Sequence, residues 1–353
     1  MSIPDVLERL LTTAGPPGHE SAPAAVWREA ADAFGADVAV DAMGTSVARV
    51  SGRAEHPLLV VVGHIDEIAL LISHVSDKGF LHVVGSGGWD PQVLVGQRVE
   101  VLTRKGPIMG VVGRKPIHLL ESEERKKAAE LKHLHVDIGA RDDDDAREMV
   151  TEGDQIVIAT EPVELPNGRL ASRSLDNRLG VYVALEVARR VHEAGGGGGP
   201  VAGVAAVQEE IGAHGAHAMA FGHRPDLAVV VDVTHATDAP GVEMGQLGKH
   251  GLGDGPVITR GAIVSHILNE LLEAAAEADG IEYAIDVAGG ATHTDADAIH
   301  LSRTGVPTAV VSIPLRYMHS PVELADLEDV ENVIRLITAM ALRLEPDQKL
   351  TRW

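Results

Sequence analysis

The sequence predicts an α/β protein, with a mixed central sheet flanked by helices and interrupted by an inserted small all-β, barrel-like domain. The first observation is a set of apolar runs rich in β-branched residues, at 57–67, 204–212, 225–235 and 306–314. Such runs are typical of strands buried on both faces of a sheet. The second observation is that residues 69–163 contain mostly short strand-like segments joined by glycine turns. This change from long apolar runs to short strands and turns indicates an inserted domain.

Residues 1–68 are predicted to form the first part of the α/β domain. Helix-like apolar spacing covers 3–14 and roughly 20–34, and a Gly-Pro-Pro-Gly turn separates the two segments. A short hairpin follows, with strands at 38–41 and 46–50.

Residues 69–163 are predicted to form the inserted domain. Its strand-like segments lie at 80–84, 98–102, 108–113 and 155–158. Four consecutive acids at 142–145 precede a helix-like segment at 146–150, where they suit the positive end of a helix dipole. Their spacing lacks the alternation and the glycine of an EF-hand loop, which argues against calcium.

Residues 164–353 are predicted to complete the α/β domain. Helices are predicted at about 172–194, 262–278 and 327–344. The glycine run at 195–199 lacks the Gly-Lys-Ser/Thr ending of a phosphate-binding loop, so it is predicted to be a flexible connection. A glycine-led polar loop at 289–300 enters a further helix.

Composition excludes several classes of protein. The chain has 353 residues, 45% apolar and 23% charged, as is typical of a globular protein with a sizeable core. It has no cysteine, which excludes disulfides, thiolate metal sites and a cysteine nucleophile. The net charge of −22 argues against a nucleic-acid partner. No signal peptide and no apolar run of roughly 18 to 20 residues is visible, so we predict a cytoplasmic protein without a membrane partner.

Metal-competent side chains stand where the predicted buried strands end. His64, Glu210, Asp232 and His319 occupy these positions, and Asp176 opens a predicted helix. Strands that alternate with helices run parallel, so their carboxyl ends meet at one edge of the sheet. Each residue alone also fits a solvated strand end or, for Asp176, a helix cap. The repetition over four strands favours a common site.

Two histidines and three carboxylates fit two divalent ions, each with a nitrogen ligand and its own carboxylate, and with one carboxylate shared. Glu209 is left over beside Glu210 and can act as a general base toward a bridging water. Asp66 follows His64 at spacing i, i+2, so its carboxylate can hold the imidazole in one tautomer. Adjacent strand residues face opposite ways, so we expect the chain to leave the strand at Glu209 and to turn at Gly212.

Six short motifs follow one another along the chain: 63–68 (GHIDEI), 174–178 (SLDNR), 208–212 (QEEIG), 231–234 (VDVT), 294–296 (TDA) and 316–320 (RYMHS). In this order they resemble the M42 peptidase family, the dinuclear-metal aminopeptidases that include the tetrahedral and the glutamyl aminopeptidases. The resemblance covers nearly the whole chain. It implies a catalytic domain of the zinc-peptidase type, formed by 1–68 and 164–353, and an oligomerisation role for the domain at 69–163.

The resemblance also implies a metal-binding role for each of five residues. His64 and Asp232 would bind one ion, Glu210 and His319 would bind the other, and Asp176 would bridge the two. The implied cofactors are two divalent ions per subunit, zinc by first choice, with cobalt or manganese as alternatives, because carboxylate-rich sites select metals weakly.

The remaining two residues would be catalytic. Glu209 would take a proton from a water activated by both ions and return it to the leaving amine, and Asp66 would orient His64. The implied substrates are peptides with a free N-terminus. The implied assembly is a homo-oligomer built from dimers, up to a hollow tetrahedral dodecamer.

Three other functions stay open on sequence alone. A di-metal deacylase of N-acyl amino acids would use the same ligands with a different pocket. An endoglucanase-type glycoside hydrolase would need two free carboxylates flanking a sugar. A non-catalytic assembly protein is disfavoured by the full ligand set. Asp297, in the loop at 291–297, is an additional acid that would favour a basic N-terminal residue in the substrate.

Overall fold

The computed structural model describes residues 2–351, which form a large eight-stranded sheet, a closed six-stranded barrel and a small three-stranded sheet. Helices pack on both faces of the large sheet. This architecture confirms the predicted fold class. None of the described helices is both long and apolar enough to cross a membrane.

The large sheet combines strands from both ends of the chain. Numbered in chain order, its strands are β1 (Asp37–Val40), β2 (Ser46–Val50), β3 (Leu59–His64), β12 (Val201–Ala206), β13 (Leu227–His235), β14 (Val257–Gly261), β15 (Ala284–Ala288) and β16 (Thr308–Leu315). Their order across the sheet is β1-β2-β12-β3-β13-β16-β14-β15.

The four strands at the centre of this sheet are parallel. β12 and β13 both pair with β3, and β16 pairs with β13. The register places Ala206 beside His64 and Asp232 beside Ser312. These are the four predicted apolar runs, so the carboxyl ends of all four do meet at one edge of the sheet.

Alternate residues of β3 explain why the sheet is covered on both faces. Val60 and Val62 belong to one hydrophobic cluster, while Leu59 and Val61 belong to another on the opposite side. A strand with two buried faces requires an uninterrupted apolar run, which is what the sequence provides.

The described residues contain ten α-helices. They are α1 (Asp5–Thr12), α2 (Ser21–Ala33), α3 (Pro91–Leu94), α4 (Asp143–Met149), α5 (Leu175–Glu193), α6 (His214–His223), α7 (Met244–Leu247), α8 (His266–Asp279), α9 (Ala296–Ile299) and α10 (Leu327–Arg343). Helices α5, α8 and α10 cover one face of the sheet, and α6 and α9 cover the other. Helices α1 and α2 pack beside α5 through Leu10 and Trp27.

The barrel interrupts the sheet directly after β3. Its strands are β4 (Ala69–Val75), β5 (Leu81–Ser86), β6 (Arg98–Thr103), β7 (Gly106–Arg114), β8 (Leu134–Asp137) and β9 (Gln155–Ile158). They close in the order β4-β5-β8-β7-β6-β9, and every neighbouring pair is antiparallel, including the β4–β9 pair that closes the ring. A separate apolar core, including Ile72, Val101 and Val136, fills the interior.

The small sheet joins the segment after the barrel to the end of the chain. Its strands are β10 (Val163–Leu165), β11 (Arg169–Ser172) and β17 (Glu323–Asp326), in that order. β11 pairs with β17 so that Ser172 lies opposite Glu323. This pairing fixes the start of α5 next to the segment that follows β16.

Gly63 lets α5 approach β3 closely. A methyl group at Gly63 would lie 2.3 Å from the carbonyl carbon of Gly180 in α5 and 2.5 Å from the amide nitrogen of Val181. Only a residue without a side chain allows such contact between backbones. The contact lies one residue before His64 and holds α5 against the strand that carries it.

We expect Gly63→Ala to lower the free energy of unfolding by about 1–3 kcal/mol, because the added methyl group would overpack a rigid backbone contact. Denaturant unfolding followed by circular dichroism measures this change. Gly222→Ala is the matched control, since Gly222 lies in α6 and, apart from its neighbours and the backbone of its own helix, no atom of the described residues lies within 4 Å of an added methyl group. That variant should be neutral or slightly stabilising. Equal stabilities for the two variants would contradict the close-approach explanation.

Candidate active site

Seven residues singled out from the sequence come together at the carboxyl edge of the parallel strands. His64 is the last residue of β3, and Asp232 lies within β13. Asp176 is in the first turn of α5. The other four residues, Asp66, Glu209, Glu210 and His319, lie in the segments that follow β3, β12 and β16.

The five predicted ligands form two overlapping groups. His64, Asp176 and Asp232 offer ligand atoms that all lie within 4.8 Å of one another, and so do Asp176, Glu210 and His319. Asp176 is the member that the two groups share. The pairing of residues is the one that the family resemblance implies.

Asp176 directs one carboxylate oxygen toward each histidine. Its Oδ1 lies 3.1 Å from His64 Nε2, and its Oδ2 lies 3.3 Å from His319 Nε2. His319 Nε2 also lies 3.4 Å from Glu210 Oε1. Asp176 and His64 are buried, so the contact between them is shielded from water, whereas His319 is partly exposed. A carboxylate placed in this way suits a bridge between two cations.

Asp66 contacts both His64 and the segment that carries Glu209 and Glu210. His64 Nδ1 lies 3.2 Å from the backbone carbonyl oxygen of Asp66 and 3.5 Å from its carboxylate Oδ1. The carboxylate itself accepts the backbone N–H groups of Glu209, at 3.0 Å, and Glu210, at 3.1 Å. Asp66 therefore holds the segment that carries both glutamates as well as lying beside the imidazole.

The segment after β12 turns sharply, which brings two adjacent glutamates to one site. β12 ends at Ala206, before the expected exit at Glu209. Gln208 has a φ of 58°, and the amide of Gly212 donates to the carbonyl of Glu209 at 2.8 Å. Because the chain has left the strand, its side chains need not alternate.

Left-handed backbone surrounds the site. Ser174, Tyr317 and His319 join Gln208 as non-glycine residues with positive φ, between 56° and 61°. This conformation costs free energy for residues with a Cβ atom, and it persists only where the surrounding structure imposes it. The backbone next to the ligands is therefore held in place by its neighbours.

Burial and the neighbouring charges both shift the pKa values of the acids and histidines in this cluster. Burial raises the pKa of Glu210 and places that of Asp232 well above its usual range. Burial alone would lower the pKa of His319, but its contacts with Asp176 and Glu210 outweigh this and raise the pKa to about 11. At His64 burial also acts to lower the pKa. The carboxylates of Asp176 and Asp66 outweigh it, so the pKa of His64 lies well above its usual value. Buried carboxylates of this kind must be neutralised by protons or balanced by bound cations.

The donor set fits divalent cations. Two imidazole nitrogens and three carboxylates, without any thiolate, are typical ligands of zinc and of harder divalent ions. The two ligand groups share Asp176, as a pair of adjacent ions would require. His64, His319, Asp176, Asp232 and Glu210 are thus the residues that could hold a pair of ions.

Glu209 lies beside the two ligand groups without belonging to either. Its Oε2 is 3.9 Å from His64 Nε2. Burial raises its pKa to about 10, with smaller contributions from the negative charges of Asp232, Asp295 and Glu210 that the charge of His64 opposes.

The barrel contributes to the walls of the site. A small cavity beside the cluster is lined by Asp176 and Glu210 and by Trp89 and Ile158 of the barrel segment. The insertion therefore reaches the candidate site as well as interrupting the sheet.

Two buried acids at the site were given no role by the sequence. Glu323 is 2% exposed and accepts the backbone N–H groups of Asp176 and His319. Asp295 is 1% exposed, neither of its oxygens has a hydrogen-bond partner among the described residues, and burial raises its pKa to about 7. Asp295 lies within the TDA motif, and Glu323 is an acid shortly after the RYMHS motif. The position of each residue in the sequence was therefore a weak indication that it belongs to the site.

Asp297 supports the loop that contains it. Its carboxylate accepts hydrogen bonds from the amide and hydroxyl of Thr292 and from the amide of His293. The expectation that Asp297 selects a basic substrate residue therefore has a competing explanation, in which this acid shapes the loop.

The four parallel strands, the barrel and the histidine–carboxylate cluster define a hydrolase of the metallopeptidase class. A family model described as M42 glutamyl aminopeptidase matches residues 44–336. The chain therefore belongs to the M42 peptidase family. It is accordingly a metal-dependent aminopeptidase, a hydrolase that acts on peptide bonds.

Individual relatives agree with this assignment. The lysyl aminopeptidase of Pyrococcus furiosus is 36% identical over 314 residues, which cover 88% of this chain and 88% of the relative. A TET aminopeptidase from the marine sediment archaeon Thaumarchaeota archaeon SCGC AB-539-E09 has a similar structure, with a TM-score of 0.92, 35% identity and coverage of 97% and 96% of the two chains. The TET1 peptidase of Pyrococcus horikoshii, described as able to assemble into a tetrahedron or a large octahedral shell, has a TM-score of 0.84, 33% identity and coverage of 96% and 99%.

We expect the metal-free protein to release protons when it binds zinc at pH 7. His319, with a pKa of about 11, and Glu209, with a pKa of about 10, both hold a proton at this pH. A bound imidazole must be neutral, and nearby positive charge favours ionised Glu209, so binding expels protons and strengthens as the pH rises. Isothermal titration calorimetry in two buffers of different ionisation enthalpy measures the number released, expected to be about two or more per subunit. Identical heats in both buffers would contradict the assigned protonation.

Proposed function

We propose that the chain removes the N-terminal residue from peptides with a free N-terminus by a two-metal mechanism. The observation that carries this proposal is the position of Asp176, which presents one oxygen to each of the two histidines. A shared carboxylate between two ligand groups is the arrangement that two adjacent ions need.

In this proposal His64 and Asp232 hold one ion, Glu210 and His319 hold the other, and Asp176 bridges them. Zinc is the proposed native ion, with cobalt and manganese as alternatives. When bound, such ions supply Lewis acidity toward a substrate carbonyl and lower the pKa of water.

Glu209 is the proposed general base. Its carboxylate takes a proton from the attacking water and returns that proton to the leaving amine, so it must be ionised at the start of the cycle. Its place beside both ligand groups, outside either, supports this role. Asp66 assists by holding the backbone of Glu209 and by lying beside His64.

The substrate amine meets a strongly acidic environment. Glu210 and Asp295 both lie close enough to Glu209 for their negative charges to raise its pKa. A protonated α-amine is attracted by such a field, whereas an acylated one is not. This favours an aminopeptidase over a deacylase of N-acyl amino acids. Endoglucanase-type hydrolysis is disfavoured because Asp176, Glu210 and Asp232 are grouped with histidines, an arrangement that suits metal ions and that glycoside hydrolysis by two carboxylates does not need.

We also propose that the domain at 69–163, inserted into the catalytic domain formed by 1–68 and 164–353, mediates self-assembly. The assembly would be built from dimers, up to a tetrahedral dodecamer. The outer surface of the barrel carries exposed apolar side chains, including Met109 at 52% and Val111 at 48% exposure. Apolar side chains of this kind on an outer surface are suited to contact with another subunit.

The catalytic proposal predicts different effects of two conservative substitutions. Glu209→Gln should retain both ions and lose about 10²–10⁴-fold in kcat, because a general base typically contributes that factor. Asp176→Asn should lose metal, because a neutral amide is a poor bridge between two cations. Elemental analysis of the purified variants and hydrolysis of aminoacyl chromogenic substrates measure the two quantities.

Peptides with an acylated N-terminus are the control substrates for this experiment. Rapid cleavage of these and not of free peptides would support the deacylase instead. Full activity of Glu209→Gln, with metal retained, would show that the base is another residue.

The assembly proposal predicts that a Met109→Glu, Val111→Glu double variant forms smaller particles than the wild type, because charge would be buried in the subunit contact. Light scattering coupled to size-exclusion chromatography measures the mass. Val287→Glu is the comparison, since Val287 is 73% exposed on the edge strand β15, outside the barrel. Dissociation caused by Val287→Glu and not by the barrel variant would place the interface elsewhere.

A further inference from the structure

Glu323 joins two of the proposed ligands through their backbones. Its Oε1 accepts the N–H of His319 at 2.9 Å, and its Oε2 accepts the N–H of Asp176 at 3.1 Å. Glu323 is 2% exposed, and its hydrogen bond to Asp176 is buried while that to His319 is partly buried. Each carboxylate oxygen therefore accepts a hydrogen bond from the backbone amide of one proposed ligand.

The small sheet explains how Glu323 reaches both amides. Glu323 is the first residue of β17 and lies opposite Ser172, the last residue of β11. Asp176 follows Ser172 after a short connection, and His319 precedes Glu323 by the same number of residues. The strand pairing uses backbone groups only, so it should survive changes to the Glu323 side chain.

The two amides have few other ways to be satisfied. His319 has a left-handed backbone with a φ of 57°, and Asp176 has non-helical angles of φ −79° and ψ 102° at the start of α5. In these conformations neither N–H belongs to a regular helix or strand. A buried N–H without an acceptor costs about 1–3 kcal/mol, which favours rearrangement of the backbone once the acceptor is lost.

The contacts of Glu323 argue against other roles. It belongs to neither ligand group. Among residues 2–351 it has no lysine or arginine partner, and Arg173, which lines the same cavity, pairs with Glu67. Its carboxylate is thus committed to the two amides and not to an ion pair.

We propose that Glu323 is a positioning residue, which fixes the backbones of Asp176 and His319 and thereby sets the spacing between the bridging carboxylate and the imidazole of the second ion. This inference rests on the metal centre proposed above. Asp66 holds the amides of Glu209 and Glu210 in the same way, so two acids together secure four of the site residues.

The test is the zinc affinity of metal-free protein, measured by competition with a chromophoric chelator. Outer residues that orient metal ligands typically contribute 10–100-fold to metal affinity. Glu323→Ala removes both acceptors, and we expect a loss of about 100-fold for the more weakly bound ion. Glu323→Gln keeps the shape and one acceptor oxygen but turns an NH₂ group toward the other amide, so a loss of about 10-fold is expected.

Asp329→Asn is the matched control. Asp329 is also a buried acid that accepts two backbone amides, those of Gly253 and Gly255, each at 2.8 Å. It belongs to neither ligand group and does not line the cavity. Its substitution should lower the melting temperature of the metal-free protein while leaving the zinc affinity unchanged.

The outcomes separate this inference from the proposed function. If wild type binds two ions and both Glu323 variants bind them within about threefold of wild type, the positioning role is overturned and the metal centre stands. If wild type binds no ions, the proposed function itself fails. Should Glu323→Ala not fold, the zinc affinity of Glu323→Gln decides alone, and a wild-type affinity in that variant overturns the inference. A zinc affinity of Glu323→Gln between those of the wild type and of Glu323→Ala supports the inference.

Discussion

The carboxylate of Asp176 is the group on which the rest of the site depends. It lies between two histidines, with one oxygen 3.1 Å from His64 and the other 3.3 Å from His319. Asp232 and Glu210 share its two ligand groups, Glu209 lies near His64, and burial raises the pKa of each of these three acids. Buried acids of this kind must be neutralised, either by protons or by bound cations. The cluster therefore holds protons in the absence of metal and can exchange them for cations.

The framework around this cluster acts mainly through the backbone. Parallel pairing of β12, β3, β13 and β16 delivers the ligands to one edge, and Gly63 allows α5 to approach closely enough to place Asp176 there. Two buried acids, Asp66 and Glu323, then hold the amides of four neighbouring site residues. Residues with left-handed backbone, such as His319, become tolerable because these hydrogen bonds offset part of their cost.

The parts of the fold that the sequence predicted are those with strong local patterns. The four buried strands are uninterrupted apolar runs, and α5 and α10 are long helices with regular spacing. Strands β14 and β15 were not predicted, because they lie toward one side of the sheet and are short and partly exposed. Helix α6 (HGAHAMAFGH) was also missed, because its three histidines and two glycines obscure any helical period.

The sequence by itself determined which side chains could bind cations, because strand ends can be read from apolar runs and parallel strands must share an edge. It also determined that an all-β segment interrupts the main domain. Only the tertiary structure decided that Asp176 faces both histidines and that the chain turns before Glu209. It alone revealed that Glu323 joins Asp176 to His319, because Asp176 is 147 residues away from Glu323 in sequence and only the pairing of β11 with β17 brings them together.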